Sequence, residues 1–348
     1  MIKVGMIGLG FMGRMHFNVL RGMEGLKVTA LCDINTEKHG RKWLIGEGNI
    51  ADPRQSANVD LSGMQFYTDG MEMIEKADAD LVVVTCPTFL HGKFAVAALR
   101  AGKDVITEKP MAINTEEADA MVDAAKESGK IVFVAQCVRF WPDYVAAREI
   151  INSRTYGKVR GAIFRRMGGV PTYGWENWYM DGKRSGGTLL DLHVHDIDYV
   201  QNLFGVPQQV TSVGTVDVSC TNGAVDHVIT RYHYPDGPTV TAQGSWYIGP
   251  VPFEMSFVIT LEKATLVYSS ATNTRLTIFL PDGTKQQPEL PDGDGYSNET
   301  AYFIDTIARR REPTLMPPVE ARNNIAIAMA ERESVITGKP ATVDVRVD

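Results

Sequence analysis

The sequence predicts an α/β chain. A doubly wound parallel sheet comes first, and an α+β part follows it, built on a large, mostly antiparallel sheet. Three observations support this. Over the first 135 residues, short and nearly unbroken apolar runs alternate with helical patterns, the signature of a parallel sheet covered on both faces. Beyond about Gln136 the alternation stops, and strand-like runs follow one another directly. The chain is 348 residues long, enough for about two domains at roughly 150 residues each.

In the first part, strands are expected at Ile2–Ile7, Lys27–Cys32, Asp80–Thr85, Asp104–Thr107 and Ile131–Ala135, each rich in Val and Ile. Helices are expected at Phe11–Leu20, Phe94–Ala101 and Thr115–Ser128, joined to the strands by right-handed crossovers. Residues 46–63 carry Gly, Asn, Asp and Pro without periodicity and predict a loop-rich insertion. In the second part, helices are expected at Pro142–Asn152 and Thr188–Phe204. Strands follow at Val210–Val218, Val225–Tyr234, Thr239–Tyr247, Met255–Thr260, Ala264–Ser269 and Arg275–Leu280, with Pro-Asp-Gly turns at 235–237 and 281–283. Helical patterns return at Asn298–Arg310 and Val319–Thr337. The expected division is 1–135 for one domain and 136–348 for the other.

Composition excludes several classes. With 44% hydrophobic and 22% charged residues the chain is an ordinary globular one. A net charge of -7 argues against nucleic acid as a partner, since phosphate binding needs a basic surface. No window holds 18 apolar residues, so no membrane span is expected. Cys32, Cys86, Cys137 and Cys220 are far apart and form no CxxC pair, which argues against structural zinc and disulfides. The N-terminus enters a strand at once, without a leader-like apolar region. These features together predict a soluble, cytoplasmic protein.

Gly8-Leu9-Gly10-Phe11-Met12-Gly13 fits G-x-G-x-x-G, directly after a strand and opening a helix. Asp33 stands twenty residues beyond Gly13, at the end of the second strand, where an acid can bind a ribose 2′-hydroxyl. Gly8 permits the tight turn, Gly10 lets backbone approach a pyrophosphate, and Gly13 brings helix and strand together. The helix N-terminus adds partial positive charge. The expected cofactor is therefore a dinucleotide. A carboxylate at position 33 repels a 2′-phosphate and favours NAD over NADP, although Lys38 and Arg41 nearby soften that preference.

Two further stretches follow strand ends, where open α/β sheets bind ligands: Thr85-Cys86-Pro87-Thr88-Phe89-Leu90-His91 and Glu108-Lys109-Pro110. A residue before proline is kept out of the helical region and the bond has an appreciable chance of being cis, so Lys109 is either a rigidly presented ammonium or a plain surface lysine. A third stretch, Gly186-Gly187 through Asp191, His193, His195, Asp196 and Asp198, places Asp191 and His195 at i and i+4 on one helix face. A carboxylate beside an imidazole orients it and raises its proton affinity, as general-base work requires. The same pair also fits a purely structural role. No metal is expected, because i and i+2 side chains point apart.

Taken in order, these motifs resemble the Gfo/Idh/MocA family of oxidoreductases over essentially the whole chain, with Arg139-Phe140 and a final helix at Ala321–Gly338 adding to the match. The resemblance implies a Rossmann domain followed by an α/β domain whose open sheet face makes oligomer contacts, hence a homodimer or homotetramer. It implies that Gly8, Gly10, Phe11, Met12, Gly13, Asp33, Thr85, Pro87, Thr88, His91, Glu108, Lys109 and Gln136 line the cofactor. Lys109, Asp191 and His195 are the implied catalytic set, with His195 as acid/base and Asp191 on the substrate. Arg139 and Trp175 join them as expected substrate contacts, with Tyr296 a further pocket candidate. His193 departs from the family, which often has a small or apolar residue there; it either shapes the pocket or packs. In the loop Val170–Arg184, Tyr173, Trp175, Trp178 and Tyr179 either stack on a sugar ring or anchor the loop. The expected reaction is hydride transfer between the nicotinamide and a secondary alcohol or ketone of a sugar, inositol or related polyol. A non-catalytic NAD-bound sensor on the same scaffold, and a reductase of a non-sugar substrate, stand as alternatives.

Overall fold

The structure is a computed structural model that describes every residue except 46–52, 57, 219, 250 and 348. The chain forms two compact units. The first contains Met1–Ala135 and Tyr296–Arg322, the second Gln136–Gly295 and Asn323–Asp348. The contiguous division at residue 135 therefore needs one amendment: Tyr296–Arg322 returns to the first unit.

In the first unit, β1 (Ile2–Ile7), β2 (Leu26–Cys32), β3 (Gln65–Tyr67), β4 (Leu81–Val84), β5 (Asp104–Glu108) and β6 (Val132–Ala135) form one sheet. Its order is β3-β2-β1-β4-β5-β6 and every pair is parallel. The order reverses between β1 and β4, the point at which doubly wound sheets open a crevice beyond their carboxyl ends. Helices α1 (Phe11–Leu20), α2 (Gly70–Lys76), α3 (His91–Arg100) and α4 (Thr115–Ser128) make the crossovers. Local chemistry sets their ends: Asp69 caps α2, and Asn114 caps α4 by accepting the Glu117 N–H at 2.8 Å. β3 and α2 follow the loop-rich stretch at 46–63, of which residues 46–52 and 57 lie outside the described ones. The returning segment binds through Phe303, stacked on Phe133 at 4.2 Å, and Arg310, paired with Asp104 at 2.7 Å.

The second unit holds α5 (Pro142–Ser153), β7 (Val159–Gly169), the short α6 (Gly182–Ser185) and α7 (Val194–Phe204). Then come β8 (Gln209–Val216), β9 (Val225–His233), β10 (Thr239–Tyr247), β11 (Glu254–Leu261), β12 (Thr265–Ser269), β13 (Thr274–Phe279) and β14 (Lys285–Gln286). Helix α8 (Gly295–Ala308) belongs with the first unit from Tyr296 onward. Helix α9 (Pro318–Thr337) and β15 (Ala341–Thr342) complete the chain. The nine-stranded sheet runs β14-β13-β12-β11-β7-β10-β9-β8-β15 and is antiparallel except where β10 meets β7.

One face of this sheet is covered. Tyr144 of α5 and Tyr199 of α7 meet edge to face at 4.8 Å, and Tyr144 packs on Phe257 of β11 at 5.1 Å. Each such buried ring contributes about 1.5–3 kcal/mol relative to exposure. The central strand β7 escaped the hydrophobic pattern because it reads Val-Arg-Gly-Ala-Ile-Phe-Arg-Arg-Met-Gly-Gly. Its Arg166 faces the core and is neutralised there by Asp196, both partners being almost fully buried.

Candidate active site

In the first unit the glycine-rich turn is shaped by contact as well as by torsion. Gly8 adopts φ +95°, and a Cβ there would lie 2.6 Å from the Cys86 amide nitrogen. A Cβ on Gly13 would lie 2.1 Å from the Gly8 carbonyl oxygen. Gly10 has no atom of the described residues within 4 Å of a Cβ position. It is also the N-cap of α1, offers no side-chain bond to the first turn, and has no acid there. The helix thus presents its first N–H groups and its positive end to an open cradle, which fits the pyrophosphate of a dinucleotide. Thr85 Oγ1 donates to the Gly8 carbonyl at 2.6 Å, tying the turn to the end of β4. Gly13→Ala is expected to weaken NADH binding about tenfold or more, because backbone must move to admit the methyl. A fluorescence titration checks this; an unchanged Kd would contradict the cradle.

Asp33 sits at the end of β2, accepting the Leu9 N–H at 2.8 Å and the Asn35 N–H at 2.9 Å. Lys38 Nζ pairs with its Oδ2 at 3.0 Å. The acid is therefore preset by backbone donors of the turn it serves, and Lys38 stands directly on it while Arg41 is exposed.

Glu108 ends β5 and is buried, with Oε1 on His16 Nε2 at 2.8 Å and Oε2 accepting the Lys109 N–H at 3.0 Å. Burial works against its charge, but His16 and the Lys109 ammonium outweigh that and hold the carboxyl below the usual carboxylate range. The Lys109–Pro110 bond is cis, and Lys109 is half-buried. His91, expected on the cofactor, lies in the interior. It is 1% exposed, with Nδ1 2.8 Å from the Pro110 carbonyl and Nε2 2.8 Å from the Cys86 carbonyl. With both ring nitrogens engaged by backbone, His91 ties the two strand-end turns together. Thr88 is buried, while Phe11 and Met12 are half-buried on the first turn of α1.

In the second unit, Gln136 is 1% exposed and its Oε1 has no hydrogen-bond partner among the described residues. A buried orphan acceptor of this kind is suited to a ligand donor. The expected helix at Thr188–Phe204 is two structures: a π-turn over Leu189–His193, then α7. Such π-turns occur frequently at functional sites. Asp191 and His195 are both half-buried, whereas His193, Val194, Asp196, Ile197 and Asp198 are buried. The two residues expected to work are thus partly open, as is Leu192 between them. The turn into it is tight: Gly187 adopts φ +68°, and a Cβ there would press on the Val225 carbonyl oxygen at 2.8 Å.

Arg139, expected on the substrate, lies in the core. It is 1% exposed, with Nε and Nη2 donating to Asp198 at 2.8 and 2.7 Å, and Asn324 adds a bond to the same carboxylate at 2.7 Å. Two of its guanidinium nitrogens are thus committed to Asp198 in the core. Tyr296 is also buried, and it belongs to the first unit. The aromatic loop divides its roles. Trp178 is buried and stacked on Tyr179 at 3.9 Å, while Trp175 is 42% exposed with the Arg184 guanidinium 5.5 Å over its ring. His193 packs: its Nε2 lies 3.1 Å from Glu331 of α9, and neither side chain is exposed at all. Among the described residues no group of three or more His, Cys, Asp or Glu is arranged to hold a metal ion.

A dinucleotide cradle at a sheet's switch point, coupled in one chain to a helix that opens a carboxylate and an imidazole, defines an oxidoreductase that uses a nicotinamide cofactor. Comparison with known proteins narrows the class: residues 2–136 match the oxidoreductase family with an NAD-binding Rossmann fold, and residues 144–267 match the GFO/IDH/MocA C-terminal domain. The chain belongs to the Gfo/Idh/MocA family of oxidoreductases. It is 24% identical to scyllo-inositol 2-dehydrogenase (NAD(+)) of Bacillus subtilis strain 168, over 99% of this chain and 97% of that protein. It is 26% identical to myo-inositol 2-dehydrogenase of Thermotoga maritima, over 66% of this chain and 63% of that one. Its fold matches levoglucosan dehydrogenase in complex with NADH and levoglucosan with a TM-score of 0.81 at 21% identity, over 99% of both chains. No helix among the described residues is long and apolar enough to cross a membrane.

Proposed function

We infer that the protein moves a hydride reversibly between NAD and a secondary alcohol or ketone of a sugar, inositol or related polyol. The observation that carries this is that Asp191 and His195 are the titratable groups left partly open on a segment where His193, Asp196 and Asp198 are buried, in an NAD-binding oxidoreductase. The named relatives act on inositols, which are cyclic polyols, and this supports the substrate class. NAD, when bound, supplies the hydride acceptor, and its reduced form the donor.

The chain's own residues do the rest. His195 takes the hydroxyl proton as the alcohol is oxidised and returns it in the reverse direction. Asp191 orients the substrate or the imidazole. Lys109 supplies positive charge to the developing alkoxide. Gly8, Gly10, Phe11, Met12 and Gly13 carry the pyrophosphate, and Asp33 the ribose. Thr85, Pro87, Thr88, Glu108 and Gln136 line the rest of the cofactor, and Trp175 offers its ring to the sugar. Most of the cofactor contacts thus belong to the first unit, and most of the substrate contacts and the assembly surface to the second.

On the nine-stranded sheet the cross-strand pairs Ile163–Val258 and Val213–Ile229 are 40–65% exposed, apolar surface that suits pairing of subunits as a homodimer or homotetramer. The four cysteines are free, which suits a reducing cytoplasm.

A thermal-shift panel of inositols, aldoses and anhydrosugars, each with NAD and with NADP, tests this. A ligand of the native state raises Tm, so stabilisation by NAD, and further by a polyol in its presence, is expected. A chain that NAD stabilises but that turns over none of these compounds in either direction would instead be a sensor.

A further inference from the structure

The buried polar groups behind the candidate catalytic helix are not all explained by stability. His193 lies 3.1 Å from Glu331, and Tyr232 Oη lies 3.4 Å from the same ring nitrogen. All three side chains are essentially inaccessible. Yet, among the described residues, His193 Nδ1 and both Glu331 carboxylate oxygens lack a well-aligned hydrogen bond. A buried ion pair with unmet polar atoms is a poor stabiliser, and well-packed apolar residues often match or exceed it. The neighbouring pair Arg166–Asp196 is different: the guanidinium Nε and Nη2 each reach the carboxylate at 3.1 Å. Burial works against the His193 charge, but Glu331 outweighs it and keeps the imidazole above its ordinary range.

Position explains what stability does not. His193 ends the π-turn, two residues from Asp191 and two from His195. Side chains two apart on a helix point to opposite sides, so anchoring His193 from behind sets the rotation at which the other two emerge. A π-turn lacks the regular i→i−4 ladder that would otherwise fix this rotation. Strand β10 presses on the same spot: a Cβ on Gly244 would lie 2.7 Å from the His193 Cβ and 2.8 Å from its Nδ1. We propose that His193, Glu331 and Tyr232 form a positioning anchor that holds the π-turn so that Asp191 and His195 present a working face. The anchor rests on the function inferred above.

The test pairs an apolar replacement with a conservative one. His193→Leu with Glu331→Leu removes both ionisable groups. The expected result is a Tm equal to or above that of the wild type, unchanged NADH affinity, and kcat at least about tenfold lower with little change in KM. A double variant that keeps Tm and wild-type kcat overturns the anchor. Should the double variant fail to fold, Glu331→Gln decides: it keeps shape and loses charge, and its kcat is expected to fall while wild-type kcat overturns the proposal. His195 is followed separately by the NMR titration of its imidazole, which needs no substrate. A displaced titration in Glu331→Gln supports the anchor, and an unmoved one opposes it. A wild type that turns over no polyol counts against the inferred function, and the His195 titration then judges the anchor alone.

Discussion

Lys109→Ala is expected to lower kcat about 10²-fold or more, the loss typical of removing one preorganised donor from a developing oxyanion. The backbone at this point is firmly held, with the Lys109 N–H bound to Glu108 at 3.0 Å and Glu108 itself bound to His16. Removing the side chain therefore deletes charge without loosening the turn, and Tm should stay near the wild-type value. Steady-state kinetics on a polyol selected by thermal shift, alongside a melting curve, separates the two. Near-normal turnover would remove Lys109 from the chemistry.

Arg139→Ala should act on stability instead. It strands the Asp198 carboxylate, which is fully buried and keeps Asn324 as its one remaining side-chain donor among the described residues. Removing one partner of a buried ion pair costs about 3–5 kcal/mol. At roughly 2–4 °C per kcal/mol, Tm should fall by about 10 °C or more. Arg139→Lys should recover little, since an ammonium cannot reproduce the two-pronged bond. A stable Arg139→Ala protein with a raised KM would restore the substrate contact that the sequence suggested.

The contrast between these two residues shows what was legible beforehand. Motifs made of backbone requirements were readable: Gly8 and Gly13 are glycine because a Cβ would strike backbone, and that need repeats wherever such a turn follows a strand. The strand pattern of the first unit was readable for a similar reason, since a parallel sheet buried on both faces writes continuous apolar runs. Where burial is achieved by pairing charges, the pattern misleads. Arg166 hid β7 from a hydrophobic reading, and Arg139 looked like a substrate contact although its partner is Asp198. His91 was assigned to the cofactor because it follows a strand end, whereas both of its nitrogens face backbone carbonyls of two turns far apart in sequence. The return of Tyr296–Arg322 to the first unit was equally hidden, because a helical period does not say which core its apolar face will find. The departure at His193 was visible as a residue. Its meaning needed Glu331, well over a hundred positions away.

Transfer of deuterium tests the central claim most directly. The wild-type protein is incubated with NAD and a polyol deuterated at its carbinol carbon, and the reduced cofactor is examined by mass spectrometry. Direct hydride transfer predicts deuterium in the reduced nicotinamide, with the rate cut sharply in His195→Ala and Lys109→Ala. Reduced cofactor free of deuterium, or a rate unaffected by both substitutions, would contradict it.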